Sequence, residues 1–241
     1  MIVLSLDSTT RAGSAALLDA ERVVDQRIGD SARAHAVRLP SDLTQLLDAH
    51  GLTVADVDLF AVASGPGSFT GLRIGIATMQ ALALVRGRPL IGISALEALA
   101  EAGLPQAGSS GVVAAWMDAY RREVFTTLYK VERPIASGVG RLIEVEGARV
   151  DDPAATLARW KAAGVIGAGA LFIGDGAVLY GRTIAEAIPD ARVFPAPPLA
   201  AIVGRLAAAR AAAGEGPHPA ALQPLYVRRP DAEVARDKAR R

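Results

Sequence analysis

The sequence predicts an α/β protein of two lobes, each built around a mixed sheet. Three short apolar stretches with turn-length polar connections open the chain, and helices then alternate with strands. A segment rich in Gly, Pro and Ser at residues 103–111 interrupts this alternation, and a weaker version of the pattern follows it. Because 51% of the 241 residues are apolar, the chain can bury a sizeable core.

The first lobe is predicted to begin with an antiparallel meander of three strands, at residues 2–6, 14–18 and 23–28. A helix over residues 34–50 follows, in which Pro40 predicts a kink or a restart. The remaining elements are a strand at 58–63, a helix at 70–86 ended by Gly87, a strand at 90–94 and a short helix at 95–101 capped by Ser94.

The second lobe is predicted from less regular segments. Its elements are strands at 112–117, 123–131, 141–150 and 170–174 and helices at 151–163 and 176–188. A helix at 199–213 and an extended segment at 222–228 follow it. We therefore assign residues 1–103 to an N-terminal lobe that the segment 199–228 joins, and residues 104–198 to a smaller second lobe. Residues 229–241 are expected to form a charged tail.

The charge and the residue types exclude several classes of protein. A formal net charge of +1 is not the strongly basic balance of a nucleic-acid binder. The chain has no cysteine, which excludes disulfides and thiolate sites and suits a cytoplasmic protein. The first residues do not resemble a signal peptide, and no apolar run reaches the roughly 18 residues that span a bilayer. We expect a cytoplasmic protein that does not cross a membrane.

The most distinctive segment is the glycine-rich stretch at residues 64–73. A strand, a glycine turn and a helix N-terminus together have the form of an anion-binding cradle. The stretch is not a P-loop, because Gly71 is followed by Leu72 and not by lysine, and it lacks the spacing of the dinucleotide fingerprint. The alternative is a tight strand-to-helix turn in which Ser68 or Thr70 caps the helix.

The helix after this loop is apolar on nearly every side. Such a helix lies either deep in a core or under a partner protein. Arg73 and Gln80 share a narrow polar strip. One apolar side carries Leu72, Ile76, Met79 and Ala83, and the other carries Ile74, Ala77, Ala81 and Leu84 or Val85.

Asp7 ends the first strand and precedes three hydroxyl residues. A carboxylate at this place can hold hydrated Mg²⁺ beside a phosphate, and we predict a vestigial nucleotide site from Asp7, Thr9, Gly65 and Gly67. The alternative is an Asx turn between two strands.

The other polar residues do not predict catalysis. No two of the histidines His35, His50 and His218 are three or four residues apart, so the sequence predicts no metal site. It also predicts no cofactor and no catalytic residue. Residues 118–122 are expected to form a charged hairpin corner in which Tyr120 is partly buried.

Several of these segments together resemble the TsaB family, also called YeaZ. The similarity is dense over residues 1–130 and sparse from 131 to 220. The segments that carry it are residues 1–10, 33–35, 63–77, 91–99, 117–125 and 224–228.

The resemblance implies an actin-like ATPase (ribonuclease H-like) fold whose second lobe is incomplete. It also implies a non-catalytic subunit that dimerises with the synthase TsaD and works with the ATPase TsaE. Together they form N6-threonylcarbamoyladenosine in tRNA, so the RNA is reached only through the complex. A homodimer is expected when TsaD is absent. The alternatives are a stand-alone small-molecule kinase of the same fold and a metallopeptidase.

The resemblance also implies a partner interface on the helices at 35–50 and 70–86. Ala36 departs from the serine that many relatives carry after the histidine, which leaves the contribution of His35 open. The predicted interface residues are His35, Leu39, Leu43, Leu46, Leu72, Arg73, Ile76, Met79, Gln80 and Ala83.

Overall fold

A computed structural model describes residues 1–107, 111–132 and 140–228. The chain divides into two compact units, and each is described by itself. Unit 1 is Met1–Ala102 with Ala196–Pro224, and unit 2 is Gly103–Pro195 with the chain from Leu225 onward. Residues 225–228 therefore group with unit 2, whereas the sequence placed them with the N-terminal lobe. The predicted tail at 229–241 lies outside the described residues.

The described residues form strands and helices that alternate as the sequence predicts. The strands are β1 (Ile2–Asp7), β2 (Ser14–Asp19), β3 (Arg22–Ile28), β4 (Leu59–Gly65), β5 (Leu90–Ser94), β6 (Val112–Asp118), β7 (Val124–Glu132), β8 (Arg141–Asp151), β9 (Leu171–Ile173) and β10 (Arg192–Phe194). The helices are α1 (His35–Asp48), α2 (Phe69–Arg86), α3 (Ala95–Gly103), α4 (Pro153–Ala162), α5 (Asp175–Leu179), α6 (Gly181–Ala187) and α7 (Ala200–Ala212).

Unit 1 is built on a mixed sheet with the strand order β3-β2-β1-β4-β5. The predicted meander is confirmed, since β1, β2 and β3 pair antiparallel. Strands β4 and β5 then add in parallel to β1. The carboxyl ends of β1 and β4 therefore lie side by side, which brings the turn after Asp7 next to the glycine-rich loop.

Helices cover both faces of this sheet. On one face, α1 and α2 close an apolar core with strand side chains such as Leu6, Leu17 and Phe60. On the other face, α7 packs so closely that a Cβ on Gly204 would lie 2.4 Å from Leu18 Cδ1. The Ser5 hydroxyl donates a hydrogen bond to the Ala200 carbonyl (2.7 Å), which satisfies a buried polar group at this contact.

Unit 2 repeats the same order of elements. Its sheet runs β10-β9-β6-β7-β8, with β6, β7 and β8 antiparallel and β9 and β10 added in parallel. The repeat is reduced in size, because β9 and β10 have 3 residues each. The single helix predicted at 176–188 is two helices, α5 and α6, that meet at Tyr180. Strand β10 was not predicted.

The core of unit 2 is aromatic although the chain has few aromatic residues. The Trp116 ring meets the Phe172 ring edge-on at 5.3 Å and lies 6.1 Å from the Trp160 ring. Both indoles are buried between the sheet and α4.

Pro40 does not restart α1. The helix is one element from His35 to Asp48, and Pro40 lies on its exposed side. Water can therefore reach the Ala36 carbonyl that has no N–H donor from Pro40. Among the described residues, none of the helices is both long and apolar enough to cross a membrane.

Candidate functional site

The glycine-rich loop lies against the turn between β1 and β2. Gly65 has a φ of 116° and Gly67 a φ of 158°. A Cβ on Gly67 would lie 2.5 Å from Thr9 Cβ, so only glycine lets the loop approach the turn. The Ser68 backbone N–H then donates to the Thr9 carbonyl (2.8 Å). The Ser68 N–H is therefore hydrogen-bonded within the chain.

The first turns of α2 continue the same contact. The Ser68 hydroxyl accepts from the Gly71 N–H (3.2 Å) and caps the helix. A Cβ on Gly71 would lie 2.2 Å from the Ser8 carbonyl oxygen, and one on Gly75 would lie 2.0 Å from Ser8 Oγ. The Ser8 hydroxyl donates to the Gly71 carbonyl (2.9 Å). These contacts favour the tight strand-to-helix turn, with Ser68 as the cap, over the anion-binding cradle.

Asp7 forms the predicted Asx turn. Its Oδ1 accepts hydrogen bonds from the Thr9 backbone N–H (2.9 Å) and the Thr9 hydroxyl (2.6 Å). Asp7 and Thr9 are each 3% exposed. The structure thus brings Asp7, Thr9 and Gly67 together, and the contacts among them support the turn and the loop. Gly65 ends β4 and pairs with Ser94 of β5.

A buried arginine fixes the other side of this turn. Arg38 donates to the Ala12 carbonyl, to Nδ1 of His35 (3.0 Å) and to the Asp42 carboxylate. A guanidinium can only donate, so Nδ1 of His35 accepts and its Nε2–H donates to the Thr10 carbonyl (2.9 Å). His35 therefore holds the turn from α1.

Sequence reasoning missed Arg38, although a signal was present. Arg38 follows His35 by three residues and precedes Asp42 by four, which places all three on one side of α1. The guanidinium occupies the space over Gly29, where a Cβ would lie 1.8 Å from Nη1.

Most of the predicted interface residues lie in the core of unit 1, and this corrects the prediction. The side chains of α1 and α2 that were assigned to a partner pack against the sheet of their own unit. Ile76, for example, is 3% exposed. The buried residues are Leu39, Leu43, Leu46, Leu72, Ile76, Met79 and Ala83.

Gln80 also serves its own chain. Its side-chain amide donates to the carbonyls of Pro219 (3.0 Å) and Leu222 (3.1 Å). A Cβ on Gly92 would lie 2.4 Å from Leu222 Cδ1, so the same C-terminal segment also covers β5. Gln80 therefore ties the segment after α7 to α2.

The side of α2 that points away from the core of unit 1 is exposed and largely apolar, and we call it the outer face of α2. The Arg73 guanidinium lies 4.0 Å from the centroid of the Phe69 ring, and Val85 is 84% exposed at the other end. The helix is thus apolar nearly all round because one side forms the core and the other faces outward. The outer face consists of Phe69, Arg73, Ala77, Ala81, Leu84 and Val85.

The histidines have structural partners. His50 Nε2 lies 3.1 Å from the Asp25 carboxylate, and His218 accepts from the Ala220 N–H (3.3 Å). Within the ranges that the structure describes, no group of three or more His, Asp and Glu side chains is arranged to hold a metal ion.

The sheet order and its repetition in unit 2 define a protein of the actin-like ATPase fold, as predicted. The fold is shared with the ADPNP-bound activator of 2-hydroxyisocaproyl-CoA dehydratase from Clostridium difficile, at a TM-score of 0.50 and 12% identity over 89% of this chain and 97% of that one. At that identity the likeness concerns the fold alone.

Closer relatives identify the family. The sequence model described as TsaD, tRNA N6-adenosine threonylcarbamoyltransferase, matches residues 29–235. YeaZ from Pseudomonas aeruginosa has a TM-score of 0.72 and 32% identity, covering 93% of this chain and 99% of that one. The chain belongs to the family that this model describes, and within it to the TsaB (YeaZ) group.

Two further relatives are similar in sequence. TsaB of Escherichia coli, a tRNA threonylcarbamoyladenosine biosynthesis protein, is 35% identical over 130 residues, 54% of this chain and 55% of that protein. An uncharacterised protein of Mycobacterium tuberculosis is 37% identical over 235 residues, 96% of this chain and 93% of that protein.

Proposed function

We propose that this chain is a non-catalytic subunit that supports the formation of N6-threonylcarbamoyladenosine in tRNA. In this proposal it dimerises with a TsaD-like synthase, and a TsaE-like ATPase works with the pair in the cytoplasm. Without the synthase, the same surface supports a homodimer. The names of the TsaB relatives support the pathway.

The outer face of α2 is the observation that carries this proposal. It leaves two large aliphatic side chains, Leu84 and Val85, and the ring of Phe69 in contact with water along one helix. A single exposed apolar residue is ordinary, whereas an apolar strip along a helix is typical of an interaction site. Arg73 over Phe69 adds the combination of arginine and aromatic ring that is enriched at protein interfaces.

This interface differs in its residues from the one that the sequence predicted. Helix α2 remains the proposed contact, but the side chains that face the partner are those of the outer face. Helix α1 contributes Val37, which is 65% exposed. The buried leucines of both helices then act indirectly, because they fix the helices on the sheet.

The lack of catalysis is supported by the use that the chain makes of its polar residues. Asp7 closes its own turn, Ser68 caps α2, and His35 binds a backbone carbonyl. Each of these groups would have to leave a partner within the chain before it could act on a substrate.

A binding titration tests the interface. Ala77→Asp and Ala81→Asp place a carboxylate on the outer face, and Ala209→Asp makes the same change at an exposed position of α7. A carboxylate buried without a partner at an interface costs about 2 kcal/mol or more, so the affinity for the synthase should fall more than roughly tenfold in the first two variants. The α7 variant should bind as the parent does.

A reconstituted modification assay tests the role. Threonylcarbamoylation of tRNA by the synthase and the ATPase should depend on this chain and should fall with the two outer-face variants. Product formation by this chain alone would contradict the non-catalytic role. Equal affinity of all three variants for the synthase would contradict the interface.

A further inference from the structure

The turn between β6 and β7 has an unusual backbone. Three consecutive residues that are not glycine, Tyr120, Arg121 and Arg122, have φ angles of 56°, 56° and 63°. Residues with a Cβ rarely adopt this left-handed conformation, and a run of three requires the surrounding structure to hold it.

Hydrogen bonds hold the turn from its inner side. Oδ1 of Asp118 accepts from the Tyr120 N–H (2.8 Å), and Oδ1 of Asp175 accepts from the Asp118 N–H (3.0 Å). The Ala119 N–H donates to the Glu123 carbonyl (3.1 Å), and the Glu123 N–H donates to the Tyr120 carbonyl (3.0 Å). The conformation is thus fixed by the end of β6 and the start of α5.

The C-terminal segment adds a further anchor. Arg228 donates to the Ala119 carbonyl (2.7 Å) and forms an ion pair with the Glu123 carboxylate. The acidic groups of this region, Asp118, Asp175 and Glu123, are therefore engaged with backbone amides or with Arg228.

The side chains of the turn face outward. Tyr120 is 71% exposed, which corrects the prediction that it is partly buried, and Arg121 and Arg122 are exposed as well. In the corresponding turn of unit 1, after Asp7, Ser8 and Thr9 are buried beneath the glycine-rich loop and α2, whereas Arg11 is exposed. In unit 2 the helix N-terminus packs on the end of β6 and the start of β7, where a Cβ on Gly176 would lie 2.8 Å from the Met117 carbonyl carbon and 2.9 Å from Val124 Cγ2.

We propose that Tyr120, Arg121 and Arg122 contact RNA. The guanidinium groups would bind phosphate oxygens, and the tyrosine ring would stack on an unpaired base. This inference rests on the proposed function, because the TsaB relatives are named for tRNA modification. It adds a direct contact with RNA through two arginines of a chain whose net charge is only +1.

Two guanidinium forks would match the carboxylates of an acidic protein as well as phosphates. RNA is favoured because the TsaB relatives are named for tRNA modification and because the exposed Tyr120 ring offers a stacking surface for a base. The backbone strain is then explained, since the left-handed run projects all three side chains from one short turn.

The test is a titration of unmodified tRNA against the chain alone and against its complex with the synthase, at several salt concentrations. The variant Arg121→Gln/Arg122→Gln should bind about tenfold more weakly, and the slope of log K against log salt should fall by about one to two. The control Arg149→Gln/Arg182→Gln removes two exposed arginines of the same unit and should bind as the parent does. The pair Arg121→Lys/Arg122→Lys keeps the charge and should retain the parent's salt slope.

Each outcome decides the question. Unchanged affinity and salt slope in both titrations would overturn the proposal, as would an equal loss in the control pair. Loss of synthase binding with unchanged RNA affinity would identify the turn as a protein contact and would also overturn it. Failure of the parent chain to bind the synthase concerns the proposed function instead, and the titration of the chain alone then tests the turn.

Discussion

Replacing Ile76 by alanine distinguishes the core side of α2 from its outer face. The Ile76 side chain is 3% exposed, and the substitution removes three carbon atoms from the core of unit 1. At about 0.8 kcal/mol per buried carbon the transfer term is about 2.4 kcal/mol, and the cavity raises the loss to about 3–4 kcal/mol. The matched change Leu84→Ala removes three carbons from a side chain that is 46% exposed, and should cost about 1 kcal/mol or less.

Urea denaturation followed by two signals measures the difference. Both tryptophans, Trp116 and Trp160, lie in unit 2, so their fluorescence reports unit 2, whereas far-UV circular dichroism reports the helices of both units. With a slope of about 2 kcal/mol per molar urea, Ile76→Ala should lower the midpoint of the dichroism transition of unit 1 by roughly 1.5–2 M. Leu84→Ala should lower it by about 0.5 M or less.

The loss of affinity for the synthase should be larger for Leu84→Ala than for Ile76→Ala, the reverse of their order in stability. Leu84→Ala removes a proposed contact and should weaken the complex, whereas folded Ile76→Ala keeps the outer face intact. Equal denaturation midpoints for the two variants would refute the assignment of Ile76 to the core. A stronger loss of synthase affinity in Ile76→Ala than in Leu84→Ala, measured below its midpoint, would refute the assignment of the outer face.

Three further changes test single contacts. Gly71→Ala should destabilise unit 1 by about 1–3 kcal/mol in urea denaturation, because its Cβ would lie 2.2 Å from the Ser8 carbonyl oxygen. Burial, and then the charge of Glu97, raise the pKa of Glu101, so the folded chain should lose stability as the pH rises from the unfolded pKa through the raised one. Glu101→Gln should remove that loss above the raised pKa and change little below the unfolded pKa in thermal unfolding. The buried hydroxyl of Thr156 has no hydrogen-bond partner among the residues that the structure describes, so Thr156→Val should leave the melting temperature unchanged or raise it.

The order of the elements could be predicted because each carries a local signal. The meander follows from three apolar runs with polar turns, and Ser68 and Gly87 mark the ends of α2 as cap residues do. Strand β10 could not be predicted, because 3 residues are too few to show an alternating pattern. The break between α5 and α6 at Tyr180 could not be predicted either, because the sequence on both sides of it has a helical pattern.

The candidate site could be predicted only in part. The helical period identifies which side of a helix is apolar, but it does not show whether the protein's own core or a partner covers that side. On α2 both sides satisfy the helical period, and the choice between core and outer face depends on the sheet to which the helix is joined. The resemblance implied an interface on α1 and α2 but could not select which side of each helix faces a partner. Arg38 was missed for a related reason, since a charged residue on an apolar side is normally expected to be exposed.

The repeat within the chain connects the two proposals. Each unit places a hairpin turn after its first strand and a helix N-terminus beside it, so the same geometry occurs twice. In unit 1 the glycines Gly67, Gly71 and Gly75 let the loop and helix close over the turn, and the polar groups there bind one another. In unit 2 Gly176 allows the approach at the strand ends on either side of the turn, and the turn residues Tyr120, Arg121 and Arg122 remain exposed. In unit 1 the buried residues Ser8 and Thr9 of the turn therefore support α2. In unit 2 the turn leaves Tyr120 exposed, where its ring is accessible to a ligand.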